Sequence, residues 1–337
     1  MKSDIPPQQK PKTPNFNTLD SVIEEILNSD AKDTDLKDND TIGQHGKYRQ
    51  VKRAKVLGYC MGVRRAVEAV YRALNDYPDK TVYTYGPLIH NPVTMRFLEE
   101  KGVHIVNPDK ELKPQIMPQS PIIIRAHGIS PQKRQELIDC DAVIIDATCP
   151  RVIASQLRAA QYSRKGYTVI LAGDKNHGEL IGIKGYALSV PNGRCATVQT
   201  AVEAKALQYD GAPTILIAQT TIKREEYHAI AEILRKKIPD LTVLETICPA
   251  TDERQEALLE LVKEVDAILV IGGKNSANTR RLLQTAIDRG KPAWLAESSC
   301  DIPQEVRQYR TIGLAAGAST PDSSIDAIEQ LLLDKTV

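Results

Sequence analysis

From residue 51 onward, short runs rich in Val and Ile alternate with stretches whose apolar residues follow helical spacing. The runs at 121–124, 142–145, 168–172, 214–218, 267–271 and 311–315 carry little period-two alternation. A strand with one wet face alternates, whereas a strand covered on both faces does not. Amphipathic stretches at 64–74, 153–163, 224–237 and 252–265 fall between the runs. Strand–helix alternation of this kind predicts an α/β fold with parallel sheets. Glycines and polar residues crowd the segments just after the runs, at 125–128, 173–177, 219–221, 272–278 and 316–319. Those segments are the C-terminal edges of the strands, where ligands bind in such sheets.

Composition narrows the function. The 337 residues hold 44 Lys/Arg and 43 Asp/Glu, a net charge of +1, so the chain as a whole has no electrostatic grip on nucleic acid or an anionic membrane. Aromatics at 4% argue against a base-stacking surface. No apolar run approaches the ~20 residues of a membrane span, and the N-terminus lacks an apolar signal segment. A cytoplasmic location is the expectation, with the six cysteines reduced and available for metal or catalysis.

Residues 1–50 differ from the rest, with 9 acidic and 7 basic residues, four prolines and only 12 hydrophobics. That composition predicts a flexible extension. Leu19, Val22, Ile23, Ile26 and Leu27 could form one short amphipathic helix within it. The remainder divides into three α/β segments of similar length, at 51–147, 148–246 and 247–337.

The division follows a repeat. Tyr59-Cys60-Met61-Gly62, Thr148-Cys149-Pro150-Arg151 and Ile247-Cys248-Pro249-Ala250 each follow an apolar run and open a helix, with the cysteines 89 and 99 residues apart. Proline after Cys149 and Cys248 suits the first helical position. A thiol at a helix N-terminus has its thiolate favoured by the dipole. Three such turns meeting on one axis would hold a cubane iron–sulfur cluster with one iron open, or a zinc ion with a fourth non-Cys ligand. Three small buried side chains are the alternative. Cys140, Cys195 and Cys300 lack this context and read as structural.

His90, His127 and His177 are each close to Gly or Pro at a predicted turn, and together could donate to an anion such as phosphate. The segments 274–278 and 317–320 are polar turns before helices, a geometry that suits anions, although the P-loop frame is absent. Glu179, beside His177, is a plausible proton donor if desolvated and otherwise an exposed loop acid.

In order along the chain stand Gly-Tyr-Cys-Met-Gly-Val-Arg-Arg-Ala at 58–66, Ile89-His90-Asn91-Pro92, Ala126-His127-Gly128-Ile129-Ser130 and Asp146-Ala147-Thr148-Cys149-Pro150. His177-Gly178-Glu179, Gln219-Thr220-Thr221, Lys274-Asn275-Ser276 and Ala316-Gly317-Ala318-Ser319 follow. From about Ala54 to Leu333 the chain therefore resembles the 4-hydroxy-3-methylbut-2-enyl diphosphate reductases of the non-mevalonate isoprenoid route.

The resemblance implies a trefoil of three α/β domains around a 4Fe-4S cluster held by Cys60, Cys149 and Cys248, with one iron free of cysteine. It implies reductive removal of the substrate's hydroxyl as water, giving isopentenyl and dimethylallyl diphosphates. His90, His127, His177, Ser276, Asn278 and Ser319 match the diphosphate-binding set, Glu179 the proton-relay acid, and Thr220 the hydroxyl that places the substrate oxygen. Electrons would come from a ferredoxin or flavodoxin. A diverged paralogue with another phosphorylated substrate is the nearest alternative. A non-catalytic iron–sulfur redox protein is another, although such a carrier needs no polar pocket. The chain departs from the family pattern at Tyr59 and Met61, usually Phe and Ala. It departs again at Gly178, usually Pro, which is expected to loosen the loop carrying the acid, and at Ala277, where a hydroxyl is lost.

Overall fold

The computed structural model describes residues 50–333. The extension read at 1–50, with its possible helix at 19–27, lies outside the described residues except for Gln50.

The first sheet is built from β2 (Val82–Tyr85), β3 (Val103–Val106), β4 (Pro121–Ile124) and β5 (Val143–Asp146), in the order β3-β2-β4-β5. The second holds β6 (Thr168–Ala172), β7 (Arg194–Val198), β8 (Thr214–Ala218) and β9 (Leu241–Leu244), ordered β7-β6-β8-β9. The third holds β10 (Ala267–Ile271), β11 (Ala293–Ala296), β12 (Thr311–Ala316) and the N-terminal β1 (Gln50–Arg53), ordered β11-β10-β12-β1. Every pairing is parallel. All three sheets thus share one strand order, and β1 takes in the third sheet the place that β5 and β9 take in theirs. The chain closes on itself: its first described strand completes its last sheet. Arg53 on β1 also pairs with Asp326 and Glu329 of the last helix. These side chains are partly exposed, so the closure rests mainly on the β1–β12 ladder. We keep boundaries near 147 and 246 as a proposal, with residues 50–53 counted in the third sheet.

The absence of alternation in the runs has its reason in the packing. In β4, Ile123 joins a cluster with Ala66, Val67, Val70 and Ala73 of helix α1 (Met61–Asp76), while Ile122 and Ile124 face the opposite cluster with Leu137 of α3 (Pro131–Asp139). Both faces are covered, and burying each isoleucine contributes roughly 1.5–3 kcal/mol. Four runs named from sequence are β4, β6, β8 and β10, and those at 142–145 and 311–315 match β5 and β12 to within one residue. β2, β3, β7 and β11 carried no such signal, and the last three are edge strands whose part-exposed positions admit polar residues such as His104 and Arg194.

Helix α7 (Arg224–Arg235) locks the second sheet through fully buried Tyr227, whose hydroxyl lies 2.7 Å from the Leu244 carbonyl and 3.1 Å from that of Leu216. Tyr227→Phe removes the one O–H donor shared by these carbonyls and is expected to cost about 1–3 kcal/mol, read as a lowered denaturation midpoint at unchanged m-value.

Candidate functional site

The three cysteine turns are built alike. Cys60, Cys149 and Cys248 are the N-cap residues of α1, of α4 (Pro150–Arg164) and of α8 (Pro249–Val262), and none uses its side chain as a cap. Each cysteine N–H donates to a carbonyl in the loop after its own sheet's third strand. Cys60 reaches Ala318 at 3.0 Å, Cys149 reaches Ala126 at 3.0 Å, and Cys248 reaches Thr220 at 2.9 Å. These bonds fix the backbone and leave all three thiols free to face one cavity that opens partly to solvent. Gly62 permits the convergence, since a Cβ there would stand 3.0 Å from the Cys149 Sγ. Met61, between two cavity-lining residues, is itself 62% exposed.

At Cys248 burial outweighs the helix dipole. Burial pushes the Cys248 thiol above its ordinary range, and charge on Cys60 and Cys149 pushes it further, against the amide of Ala250 and Arg151. Three thiolates in one pocket need a positive partner. The protein supplies part of it through Arg254, which is 4% exposed. Its guanidinium donates to the Gly58 carbonyl at 2.8 Å and the Ala250 carbonyl at 2.9 Å, tying together the turns that carry Cys60 and Cys248. Arg254 was not among the residues singled out in sequence, because an arginine on an amphipathic helix reads as a solvated face.

The polar residues come from the central strands of all three sheets. His90 follows β2 and His127 follows β4; His177 follows β6 and Thr220 follows β8; Ser276 and Asn278 follow β10, and Ser319 follows β12. All line the same cavity as the cysteines. They occupy the points where neighbouring strands send their connections in opposite directions, the usual ligand crevice of a parallel sheet. The imidazole rings lie 4.8–6.0 Å apart between centroids. Burial holds His90 and His177 at about 4 and His127 well below the usual range, so all three are neutral at pH 7. The Glu179 N–H donates to Nδ1 of His177 at 3.3 Å, which leaves Nε2 to carry the ring proton. Nitrogen atoms of the three rings lie within 4.8 Å of one another, close enough to share one small ligand or metal ion. Both amide atoms of Asn278 and Nδ1 of His127 are buried without a protein partner, as expected of groups that meet a polar ligand.

Glu179 is 1% exposed, which removes the surface-acid reading. Its carboxylate accepts from the Thr220 N–H and from the Thr220 hydroxyl, both at 2.7 Å. Burial raises its pKa, and the two Thr220 bonds oppose the shift. Gly178 does not loosen this loop: it is the first residue of helix α5 (Gly178–Leu188) and has no positive φ. Lys274, in a turn noted from sequence, is exposed and engaged with Glu297. Val63, Leu88, Ile89, Ala126 and Val152 give the cavity an apolar wall.

Residues 51–333 match the family model described as LytB protein. The chain is 54% identical over 292 residues to the 4-hydroxy-3-methylbut-2-enyl diphosphate reductase of Treponema denticola, covering 84% of this chain and 99% of the relative. The reductase of the same name from Desulfovibrio desulfuricans is 39% identical over 289 residues, covering 84% of this chain and 98% of the relative. Among solved structures, E-1-hydroxy-2-methyl-but-2-enyl-4-diphosphate reductase from Plasmodium falciparum superposes with a TM-score of 0.79 at 28% identity, over 86% of this chain and 90% of that one. A second structure, of (E)-4-hydroxy-3-methyl-but-2-enyl diphosphate reductase, the terminal enzyme of the non-mevalonate pathway, gives 0.63 at 34% identity, over 84% and 99%. With the matched residues spanning every described strand but the first residue of β1, the chain belongs to the LytB protein family.

Proposed function

We propose that this chain reductively removes the hydroxyl of (E)-4-hydroxy-3-methylbut-2-enyl diphosphate, giving isopentenyl and dimethylallyl diphosphates. The observation that carries the reading is one cavity lined at once by three N-cap cysteines, a buried carboxyl–hydroxyl pair and three neutral histidines. The related reductases act on the same compound by name.

The donor set fits a 4Fe-4S cluster: three thiols facing one cavity, with a buried cation beside two of them. Cys60, Cys149 and Cys248 would hold it, and when bound it supplies single electrons and one Lewis-acidic iron without a cysteine. The reaction breaks one C–O bond with two electrons and two protons. One proton completes water from the departing hydroxyl, and the other goes to carbon.

The protein's own groups supply position and protons. His90, His127 and His177 donate N–H groups to the diphosphate while uncharged, and Ser276, Asn278 and Ser319 add hydroxyl and amide donors at the helix α9 (Ala277–Asp288) end of the cavity. The apolar wall takes the five-carbon chain and keeps bulk water away from it. Glu179 keeps its proton to higher pH than an exposed carboxyl. When protonated it donates to the Thr220 hydroxyl, which turns its own hydrogen into the cavity toward the substrate oxygen.

No described helix is long and apolar enough to cross a membrane. The reading places the reaction in the cytoplasm, where thiols stay reduced, with a ferredoxin or flavodoxin as electron donor. The test is an anaerobic assay of cluster-loaded protein with the hydroxylated diphosphate and a low-potential one-electron reductant. Two electrons consumed per substrate, with both C5 diphosphates formed, is the expected result. A loaded protein that oxidises no reductant in the presence of this substrate rules the reading out.

A further inference from the structure

Arg125 stands directly after β4, two residues before His127. Its guanidinium occupies the space over Gly178, next to His177: a Cβ built on that glycine would come within 2.3 Å of Nη2 and 3.3 Å of Cζ. On the other side, Nη1 lies 3.5 Å from the Pro87 carbonyl, in the loop that leads to His90. One side chain therefore wedges between the loops that carry His90, His127 and His177. Its Nε is buried without a protein partner, and no carboxylate among the described residues pairs with its charge. Its charge nevertheless reaches all three rings, adding to burial in holding each one neutral.

A largely buried guanidinium without a counter-charge is costly to keep, and it is stabilised when an anion comes to lie beside it. The cavity in front of the three histidines is where such an anion fits. We propose that Arg125 is the fixed cation of the diphosphate end of this cavity, and that position 178 is glycine in order to admit its guanidinium. This rests on reading the cavity as a diphosphate site. The three histidines supply directional but uncharged N–H donors, and Arg125 behind them supplies the positive field. Gly178 belongs to the same device, because any side chain there would displace the guanidinium from the wedge.

The test uses the cluster-loaded full chain, with inorganic pyrophosphate as a competitive inhibitor. Arg125→Gln should raise KM for the substrate and Ki for pyrophosphate by about 10–100-fold, with kcat within a few-fold of the parent and iron content unchanged. Arg125→Lys keeps the charge and should restore most of the loss. Gly178→Ala should weaken pyrophosphate in the parent, yet have little further effect in the Arg125→Gln background, because the clash is then gone. If Arg125 were only a prop for the loops, Arg125→Gln would lower kcat or thermal stability while Ki for pyrophosphate stayed put, and that result overturns the proposal. Parallel, additive losses from Gly178→Ala and Arg125→Gln would overturn the pairing. If the parent neither turns over nor is inhibited by pyrophosphate, the diphosphate reading fails, and this inference with it. If the parent is inhibited and Arg125→Gln is inhibited equally, only the role of Arg125 fails.

Discussion

Glu179→Gln is expected to lower kcat by roughly 10²–10⁴-fold, the usual contribution of a positioned general acid. Glutamine preserves the site's shape. Its Oε1 still accepts from the Thr220 N–H, and its amide can donate to the Thr220 hydroxyl in place of a protonated acid. What disappears is a transferable proton at the end of the Thr220 relay. Substrate affinity and iron content should therefore change little, and the loss should fall on kcat. The pH behaviour adds a second readout. Burial raises the folded-state pKa of Glu179, so its contribution to stability is fully present below the ordinary carboxylate pKa of ~4.3 and is lost as pH rises through the folded value. The glutamine variant cannot ionise. Relative to the parent, it should gain stability as pH rises through that window, visible in denaturation midpoints at several pH values. Turnover within a few-fold of the parent, with the chemical step rate-limiting, would place the proton donor elsewhere.

Cys149→Ser should abolish stable cluster binding while leaving the fold intact. The Cys149 N–H bond to the Ala126 carbonyl is made by the backbone and survives the change, as does Pro150 at the start of α4. A neutral serine hydroxyl is a poor substitute for the soft thiolate that iron–sulfur clusters require. Far-UV circular dichroism should match the parent, whereas anaerobically purified variant should hold little iron or sulfide. Parent protein should show one iron distinct from three in Mössbauer spectra. Full iron and sulfide content in Cys149→Ser would reject the ligand set, and zinc in place of iron in the parent would reject the cluster.

Much of this architecture is legible in the amino-acid sequence. Runs such as 214–218 announce strands buried on both faces, and Pro150 and Pro249 mark helix starts directly after their cysteines, because both signals are local. The similar spacings of Cys60, Cys149 and Cys248 carried the threefold organisation, and the positions after strands carried the polar set. Other features depend on residues far apart in sequence meeting in space. Nothing local in Gln50–Arg53 says that it completes the sheet of β10–β12, more than 200 residues on. Glu179 could have been a surface acid; it is buried because Thr220, 41 residues later, brings two donors to it. Arg254 reads as a solvated helix face until the loop before Cys60, 196 residues away, presents the Gly58 carbonyl to it. Gly178 reads as a flexible loop residue until the guanidinium of Arg125 is seen in the space its missing side chain leaves. Backbone propensity and burial pattern are set by neighbours along the chain, whereas the charge, proton and space relations of the site are set by neighbours across three sheets.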